Sequence, residues 1–260
     1  MKRLPSTADP YADISELYDA EHDGFDDDLD FYVQSVIAIG DPVLELGCGT
    51  GRILRPILAE GYRCTGVDIS DAMIRRARSR LPESDLLRLQ SGRMDDAHSV
   101  PGGPFGVVII GLNGLMHAAT LSEQRAAVIS ARKALDPRGQ LPIDVLNPTA
   151  ETLCSFDHSV VHEGAWDLPD GITVDKFSAR RVFPASQTIS TRIWYDVRDA
   201  DGSVRRIATD LEQRYLHAAE LGLLLELAGF SEWQIYGGYG LEPFSDDSDR
   251  ILIAAEATSV

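Results

Sequence analysis

The chain has 260 residues, of which 44% are hydrophobic, and 41 acidic against 24 basic side chains give it a formal net charge of −17. A chain of this length can bury one α/β core with an elaboration. The ordinary charged fraction of 25% excludes general disorder. The strong negative charge disfavours nucleic acid and anionic membranes as partners.

Cysteine usage and the start of the chain bear on location. Cys48, Cys64 and Cys154 show neither close pairing nor metal-ligand spacing, so we predict no metal site and a reducing, cytoplasmic location. The first residues carry no apolar run that would indicate a signal peptide. No window approaches the ~18 apolar residues of a membrane span, so we expect a soluble protein. The oligomeric state cannot be read from these features.

The first forty residues are predicted to form a helical cap. Their acidic side chains crowd residues 13–30, and we interpret them as a solubilising face, with recruitment of a cationic acceptor as the alternative. An amphipathic helix is predicted by four residues spaced three or four apart: Tyr11, Ile14, Leu17 and Tyr18. This spacing places Tyr11 and Tyr18 on one helical face. A second helix is predicted over 29–39, ended by Gly40-Asp41-Pro42.

Short apolar strands then alternate with helices. Strands are predicted at 43–46, 62–67, 86–89, 107–110 and 143–146, and helices at 52–60, 71–80 and 121–135. Ser70 is a suitable N-cap for the second of these helices. Because Pro142 cannot donate a hydrogen bond to a sheet, we expect the fifth strand to begin at or just after it. The alternation predicts a doubly wound, Rossmann-like α/β fold with a mainly parallel sheet.

The second half of the chain has a different pattern. It is rich in β-formers at 172–182, 188–197 and 204–215, with a hairpin turn at 199–202. A helix over 218–228 and strands at 235–236 and 251–255 would complete the main sheet. We therefore predict an N-terminal cap (1–40), a core (41–150), an antiparallel β lid insertion that covers the substrate (151–215) and a C-terminal completion of the core sheet (216–260).

A glycine-rich segment follows the first strand: Leu44-Glu45-Leu46-Gly47-Cys48-Gly49-Thr50-Gly51. Open α/β sheets bind ligands at the carboxyl ends of their strands, where glycine allows sharp turns and close backbone approach. The dinucleotide fingerprint requires a third glycine at position 52, but Arg52 stands there. Asp68 ends the second strand and can accept hydrogen bonds from a vicinal diol. A ligand site is favoured over a structural corner.

This segment resembles the cofactor-binding motif of class I S-adenosylmethionine (SAM)-dependent methyltransferases of the small-molecule type, including amine and sugar N-methyltransferases. Further resemblance lies in Asp136-Pro137-Arg138-Gly139, in Ile143-Asp144-Val145-Leu146-Asn147-Pro148 and in the segment from Arg214 to Phe230. The resemblance implies a seven-stranded Rossmann-like sheet. It also implies SAM as the cofactor and S-adenosylhomocysteine as the product.

The resemblance also implies a set of cofactor-binding residues. They are Tyr11, Tyr18, Glu45, Gly47, Cys48, Gly49, Gly51, Asp68, Ile69, Met73, Gly92, Arg93 and Met94. Asp68 would bind the ribose hydroxyls, Met73 would pack on the adenine, and a tyrosine of the N-terminal cap would fold over the methionine part. The alternative for Tyr11 and Tyr18 is that they only pack their helix onto the domain. Cys48 is interpreted as a packing residue within the loop and not as a reactive thiol.

Two departures from the family pattern are visible. Arg93 stands where an acid often meets the adenine amino group, so Asp95 or backbone groups must serve. Gly106 replaces an acid that usually opens the fourth strand. Each departure weakens one expected contact and leaves the glycine loop intact.

His117 is the candidate catalytic residue. It follows the fourth strand within Asn113-Gly114-Leu115-Met116-His117, at the ligand edge. It could orient or deprotonate an acceptor, with Asn113 as a second substrate-binding residue; a satisfied structural histidine is the alternative. The other histidines share no metal-ligand spacing: His22, His98, His158, His162 and His217. Arg75, Arg76, Arg78 and Arg80 are interpreted as a solvated helix face.

We predict methyl transfer from SAM to a small-molecule acceptor, with N-methylation ahead of O-methylation. The late β-block would close the site, and a water-poor pocket favours transfer because charge disperses as the sulfonium is consumed. Two alternatives remain open at this point. One is methylation of a protein, and the other is a non-catalytic SAM-binding or interaction protein, since a fold does not dictate a function.

Overall fold

The structure is a computed structural model that describes residues 9–157 and 159–257, so His158 lies outside the described residues. It contains a seven-stranded sheet with helices and a separate four-stranded sheet. The helices are α1 (Ser15–His22), α2 (Leu29–Ile39), α3 (Leu54–Ala59), α4 (Asp71–Arg80), α5 (Leu121–Ala134), α6 (Ala150–Phe156) and α7 (Ala218–Ala228). The strands are β1 (Val43–Leu46), β2 (Cys64–Asp68), β3 (Leu87–Ser91), β4 (Phe105–Ile109), β5 (Leu135–Leu146), β6 (Val160–Leu168), β7 (Ile172–Phe183), β8 (Thr188–Arg198), β9 (Val204–Arg214), β10 (Glu232–Tyr236) and β11 (Arg250–Glu256).

The large sheet has the strand order β10-β11-β5-β4-β1-β2-β3. β1 pairs in parallel with both β2 and β4, whereas β11 runs antiparallel to β5 and β10. The chain moves outward from β1 to β3 and then returns to β4 on the other side of β1. This reversal creates a crevice at the carboxyl ends of β1 and β4, where ligands bind in doubly wound folds. The predicted seven-stranded, mainly parallel sheet is confirmed.

Local sequence signals account for several element ends. The Ser70 hydroxyl accepts a hydrogen bond from the Met73 amide at 3.1 Å, so α4 begins where the N-cap predicts. Gly229 adopts a left-handed conformation (φ 91°) and ends α7 as predicted. Helix α1 differs from the prediction because it begins at Ser15, so Tyr11 lies in the preceding turn and not on the helix.

The prediction for Pro142 was wrong. β5 begins at Leu135 and runs through Pro142, which pairs with Ala254 of β11. The Pro142 carbonyl still accepts a hydrogen bond from the Ile110 amide at 3.0 Å. Proline lacks only the donor, so this strand loses one possible hydrogen bond and keeps its path.

Gly106 at the start of β4 has a packing reason. A Cβ atom at this position would lie 2.5 Å from the carbonyl oxygen of Gly40, which no side chain can tolerate. The Gly106 amide donates to the Pro42 carbonyl at 2.8 Å in the same region. The segment that follows α2 therefore occupies the space that a side chain at position 106 would need.

The second sheet is antiparallel with the order β6-β7-β8-β9. The predicted strands β7, β8 and β9 are present, and the prediction missed β6 and the helix α6 before it. Ile14 and Leu17 of the N-terminal segment share one buried cluster with Val174, Ile193 and Tyr195 of this sheet. The N-terminal segment therefore packs against the inner face of the second sheet.

Helix α4 holds the same N-terminal segment from the other side. Arg76 donates to Asp19 at 2.5 Å, and Arg80 donates to Asp19 and, at 2.5 Å, to Asp23. Asp19 is only 4% exposed. The prediction of a solvated arginine face was therefore wrong for Arg76 and Arg80. The prediction of a solubilising acidic face was wrong for Asp19 and also for Asp28, which is fully buried.

Among the described residues, no helix has the length and apolar character needed to cross a membrane.

Candidate active site

The glycine loop lies at the carboxyl end of β1 and is tied to β2. The amides of Gly47 and Cys48 donate to the Val67 carbonyl at 2.7 and 3.0 Å. A Cβ at Gly47 would come within 2.7 Å of the Met94 side chain, so a larger residue cannot be placed there without displacing it. Gly49 has φ +53°, and a Cβ there would have no atom within 4 Å. The loop therefore packs on one side and faces open space at Gly49.

Asp68 is anchored at the edge of this open space. Its two carboxylate oxygens accept hydrogen bonds from the amides of Gly49 and Ser70, both at 2.8 Å. Burial raises the pKa of Asp68, and these backbone hydrogen bonds oppose that effect. The Ser70 hydroxyl also donates to Asp9, at 2.5 Å. Asp68 is thus held in one orientation by the same backbone that forms the loop.

Glu45 lies beneath the glycine loop and is 3% exposed. Within the described part of the chain, its Oε2 atom has no hydrogen-bond partner. Burial raises the pKa of Glu45 well above its ordinary value, while the charge of Arg52 acts in the opposite direction. An unpartnered buried acceptor of this kind suits a cationic ligand. The open space at Gly49, the anchored Asp68 and this acceptor together fit SAM.

The residues expected near an adenine differ in their exposure and in their partners. Ile69 follows Asp68 and is 67% exposed, so it offers an apolar surface at the sheet edge. Met73 is 2% exposed and is packed inside the protein, away from any open surface. Arg93 forms a bidentate pair with Asp95 at 3.0 and 3.2 Å. Because Asp95 is engaged by Arg93, the backbone of Gly92 to Met94 is the better candidate to meet a base.

Cys48 and Gly51 have packing roles. The Cys48 side chain is 4% exposed, and burial raises its pKa well above its ordinary value. A buried neutral thiol is a poor nucleophile, which agrees with its interpretation as a packing residue. Gly51 (φ +84°) would bring a Cβ within 2.6 Å of Leu81. Both residues shape the loop from its protein side.

His117 meets two other elements of the chain. Its Nε2 atom lies 3.3 Å from the Tyr11 hydroxyl and 3.2 Å from the Gln213 amide nitrogen on β9. The side chain is accessible to solvent, yet the surrounding protein lowers its pKa to about 4. The space bordered by Tyr11, His117 and Gln213 is called the cleft below. Sequence reasoning missed Gln213, although its inward position in an alternating strand was a usable signal.

The two N-terminal tyrosines also face this cleft. Tyr11 and Tyr18 contact each other edge to face, with ring centroids 6.0 Å apart, and Tyr18 stacks on His22 at 3.9 Å. Burial is the main cause that raises the pKa of Tyr11 well above its ordinary value. Electrostatic interaction with Tyr18 and then with Asp68 raises this pKa further. Tyr11 therefore remains protonated at neutral pH and stands between the glycine loop and His117.

Asn113 does not face the cleft with a free side chain. Its Oδ1 atom accepts hydrogen bonds from the Leu146 amide at 2.7 Å and from Arg250 at 3.2 Å. These bonds engage Oδ1, so the expected role of Asn113 in substrate binding stays a prediction that would use its Nδ2 donors.

Arg52 replaces the third glycine of a dinucleotide loop and has a structural partner. It forms a buried bidentate pair with Asp28 at 2.7 and 2.5 Å and donates to the Phe25 carbonyl at 2.9 Å. Helix α2 and the segment before it are thus joined directly to the glycine loop. The sequence showed Arg52 as a departure from a motif but did not indicate this partner.

Comparison with known proteins defines the class. Residues 43–139 match the family described as "Methyltransferase domain". An uncharacterized methyltransferase of Bacillus licheniformis is 34% identical over 122 residues, which are 46% of this chain and 52% of that protein. The dTDP-3-amino-3,4,6-trideoxy-alpha-D-glucopyranose N,N-dimethyltransferase of Streptomyces venezuelae is 27% identical over 163 residues, 56% of this chain and 67% of that protein.

A solved structure extends the likeness to nearly the whole chain. The CcbJ methyltransferase from Streptomyces caelestis has 26% sequence identity and a TM-score of 0.77, covering 97% of this chain and 100% of that chain. The match to the Bacillus licheniformis relative, by contrast, spans about half of that protein's length. Residues 43–139 therefore match a methyltransferase domain, and the chain as a whole shares the Rossmann-like fold of that solved methyltransferase.

Proposed function

We propose that the protein transfers a methyl group from SAM to the amine of a small polar molecule, such as an amino sugar. The observation that carries this proposal is the meeting of Tyr11, His117 and Gln213 at 3.2–3.3 Å. These residues come from the N-terminal segment, the short 3₁₀ helix that follows β4 and strand β9 of the second sheet, so they converge only in the folded chain. The relative from Streptomyces venezuelae, named as an N,N-dimethyltransferase of an amino sugar, supports the choice of acceptor.

The residues that would hold the cofactor follow from the site. Asp68 would bind the ribose hydroxyls, Gly49 would give room for the methionine part in a loop shaped by Gly47 and Gly51, and Glu45 would lie on the cationic side. Ile69 and the backbone of Gly92, Arg93 and Met94 would surround the base, with Tyr11 and Tyr18 closing the opposite side. When bound, SAM supplies a methyl group that is already activated, because its sulfur leaves as a neutral thioether.

The protonation states of the side chains in the cleft favour an amine over a hydroxyl as the methyl acceptor. A histidine with a pKa of about 4 is neutral at pH 7 but is a weak base. An amine needs only to arrive neutral or to lose one ammonium proton, whereas a hydroxyl needs a stronger base at the moment of attack. His117 would then accept a hydrogen bond from the amine, while the protonated Tyr11 and the amide of Gln213 orient it. Positioning of this kind can supply much of a rate acceleration.

The second sheet would cover the acceptor. Glu21 of α1 pairs with Lys176 of β7 and accepts from the Tyr195 hydroxyl at 3.3 Å. The Thr209 hydroxyl of β9 donates to the Pro10 carbonyl at 2.7 Å. These links hold the N-terminal segment against the sheet, and residues 151–215 would act as a lid that reduces water near the reacting groups. The three cysteines are free, which fits a reducing compartment such as the cytoplasm.

The test is an acceptor screen with purified protein and SAM, read by mass spectrometry. Amino sugars and their nucleotide derivatives are compared with matched compounds in which a hydroxyl replaces the amine. We expect methylated products only from the amines. Methylation of proteins in a lysate without a small-molecule product would favour the protein methyltransferase alternative. SAM binding without any product across both sets would favour a non-catalytic binding protein.

A further inference from the structure

A buried polar network lies beside the proposed acceptor cleft. Asp144 on β5 is fully buried and accepts hydrogen bonds from the hydroxyls of Tyr32 at 3.0 Å and Tyr239 at 2.8 Å. Its other oxygen accepts from Arg250 of β11 at 2.8 Å. The four side chains come from α2, β5, the β10–β11 connection and β11. Each partner is therefore brought to Asp144 by a different part of the fold.

The network ends at a strained turn after β4. Leu112 and Asn113 both adopt left-handed backbone conformations, with φ of 41° and 63°. Asparagine is tolerated there, but a leucine at positive φ is rare and strained. Such strain persists only where the surrounding structure imposes it, and it is concentrated at functional sites.

Each residue of this turn is held by the network. The Leu112 amide donates to the Tyr32 hydroxyl at 3.3 Å, and the Asn113 amide donates to the Asp144 carbonyl at 2.9 Å. Arg250 donates to the Asn113 side chain at 3.2 Å. Two of the side chains that bind Asp144, Tyr32 and Arg250, thus hold the turn together with the main-chain carbonyl of Asp144.

Gly111 shows how closely the network approaches this backbone. A Cβ at position 111 would lie 3.1 Å from the Tyr32 hydroxyl and 2.5 Å from the Ile53 side chain. Only glycine leaves space for the Tyr32 hydroxyl to reach the Leu112 amide. The sequence Gly111-Leu112-Asn113 is therefore matched to Tyr32, which lies about eighty residues earlier in the chain.

The turn leads directly into the segment that carries His117. The Met116 amide donates to the Asn113 carbonyl at 2.9 Å, within the short 3₁₀ helix from Gly114 to His117. A Cβ at Gly114 would lie 3.6 Å from both the Leu46 carbonyl and Met94, so this segment also touches the glycine-loop region. Any rotation of the turn would move His117 relative to Tyr11.

We propose that Asp144, with Tyr32 and Arg250, is a positioning network that holds the Leu112–Asn113 turn and thereby places His117 opposite Tyr11 and Gln213. This role rests on the proposed function for its catalytic consequence. A buried ion pair is a weak source of stability, because the cost of removing its charges from water offsets most of the attraction. The network does provide a fixed geometry, and its hydrogen bonds are directed at the one strained turn that precedes His117.

The test compares two tyrosines of the same network. Tyr32→Phe and Tyr239→Phe each remove one hydroxyl that donates to Asp144, but only the Tyr32 hydroxyl also contacts the turn. Tyr236→Phe is the control, because its hydroxyl bonds to Gln234 at the surface and not to Asp144. The readouts are the titration of His117 by NMR without substrate, the affinity for SAM, and kcat and KM for the acceptor.

We expect Tyr32→Phe to shift the His117 titration from about 4 towards the ordinary value of 6.5. We also expect it to lower kcat by about tenfold or more, because small displacements of a positioned group reduce the rate strongly. Tyr239→Phe should change both quantities much less, and SAM affinity should change little in either variant.

The proposal is overturned if Tyr32→Phe and Tyr239→Phe reduce stability equally and the titration of His117 is unchanged in both. The network would then have only a structural role. Unchanged titration accompanied by normal methylation kinetics would also overturn the proposal. If the protein methylates no acceptor at all, the His117 titration still decides the positioning role, so failure of the proposed function is recognised separately. Asp144→Asn is a further variant that keeps the side-chain shape. It should shift the same titration if the network acts through the turn.

Discussion

The amide of Gly49 donates a hydrogen bond of 2.8 Å to the carboxylate of Asp68, and this contact joins the glycine loop to the end of the second strand. The loop and the acid are therefore positioned relative to each other before a ligand binds. A preformed arrangement reduces the ordering that binding requires. The following predictions concern this site and the segments that enclose it.

Asp68→Ala should remove most of the stabilisation by cofactor. A ligand at ~100 times its dissociation constant adds roughly 2.7 kcal/mol to the free energy of unfolding. For a protein of this size that corresponds to a rise in the melting temperature of roughly 5–10 °C. We expect this rise with SAM and with S-adenosylhomocysteine in the wild type, and little rise in the variant. The control is Asp136→Ala, whose carboxylate lies at the surface before Arg138. An equal shift with NAD would contradict the assignment of the loop to SAM.

Gly49→Ala and Gly61→Ala form a matched pair. Both glycines have positive φ (+53° and +85°), and an added Cβ would contact nothing within 4 Å in either case. Each variant should therefore lose a similar amount of stability, roughly 1–2 kcal/mol, through backbone strain. Only Gly49→Ala should also weaken SAM binding, by more than about tenfold, because its Cβ enters the space proposed for the cofactor. Calorimetric titration and thermal melts measure the two effects. Equal SAM affinity in both variants would place the cofactor elsewhere.

The histidine in the cleft should make stability depend on pH. The pKa of His117 is lowered to about 4 in the folded protein, against an ordinary value of 6.5. Between these values the unfolded chain binds more protons than the folded chain, so the free energy of unfolding rises with pH. The contribution of neutral His117 to the free energy of unfolding is complete above pH 6.5 and is lost as the pH falls towards 4. His117→Gln should flatten this dependence between pH 4 and 6.5 in denaturant titrations. Identical curves for the wild type and His117→Gln would refute the prediction.

The attachment of the N-terminal segment to helix α4 should depend more on Asp19 than on Asp23. Asp19 is 4% exposed and binds two arginines, whereas the side chain of Asp23 is 47% exposed and binds one. Asp19→Ala should destabilise the protein by about 1.5–3 kcal/mol, since it removes the charge-assisted hydrogen bonds of a buried carboxylate to two half-buried arginines. Asp23→Ala should cost less than about 1 kcal/mol, as exposed ion pairs contribute little. Limited proteolysis should cut residues 9–28 faster in Asp19→Ala. Equal cleavage rates would show that the apolar contacts of Ile14 and Leu17 suffice.

Local sequence patterns determined the elements of the main sheet and the binding loop. Alternating apolar strands and helices require a doubly wound sheet, and the glycines after β1 with Asp68 after β2 place a ligand at its carboxyl edge. These features depend on neighbours in sequence, such as the Ser70 cap of α4, so the sequence is sufficient to find them.

Only the tertiary structure decided which distant residues share the cleft. Gln213 reaches His117 from 96 positions further along the chain, and Asp144 meets Tyr32 across 112 positions. Arg76 and Arg80 resembled a solvated face because their partner, Asp19, belongs to a separate helix. No local periodicity encodes such pairings. They arise when the sheets and helices pack, and a buried charge or donor must then find its partner wherever the fold brings one within reach.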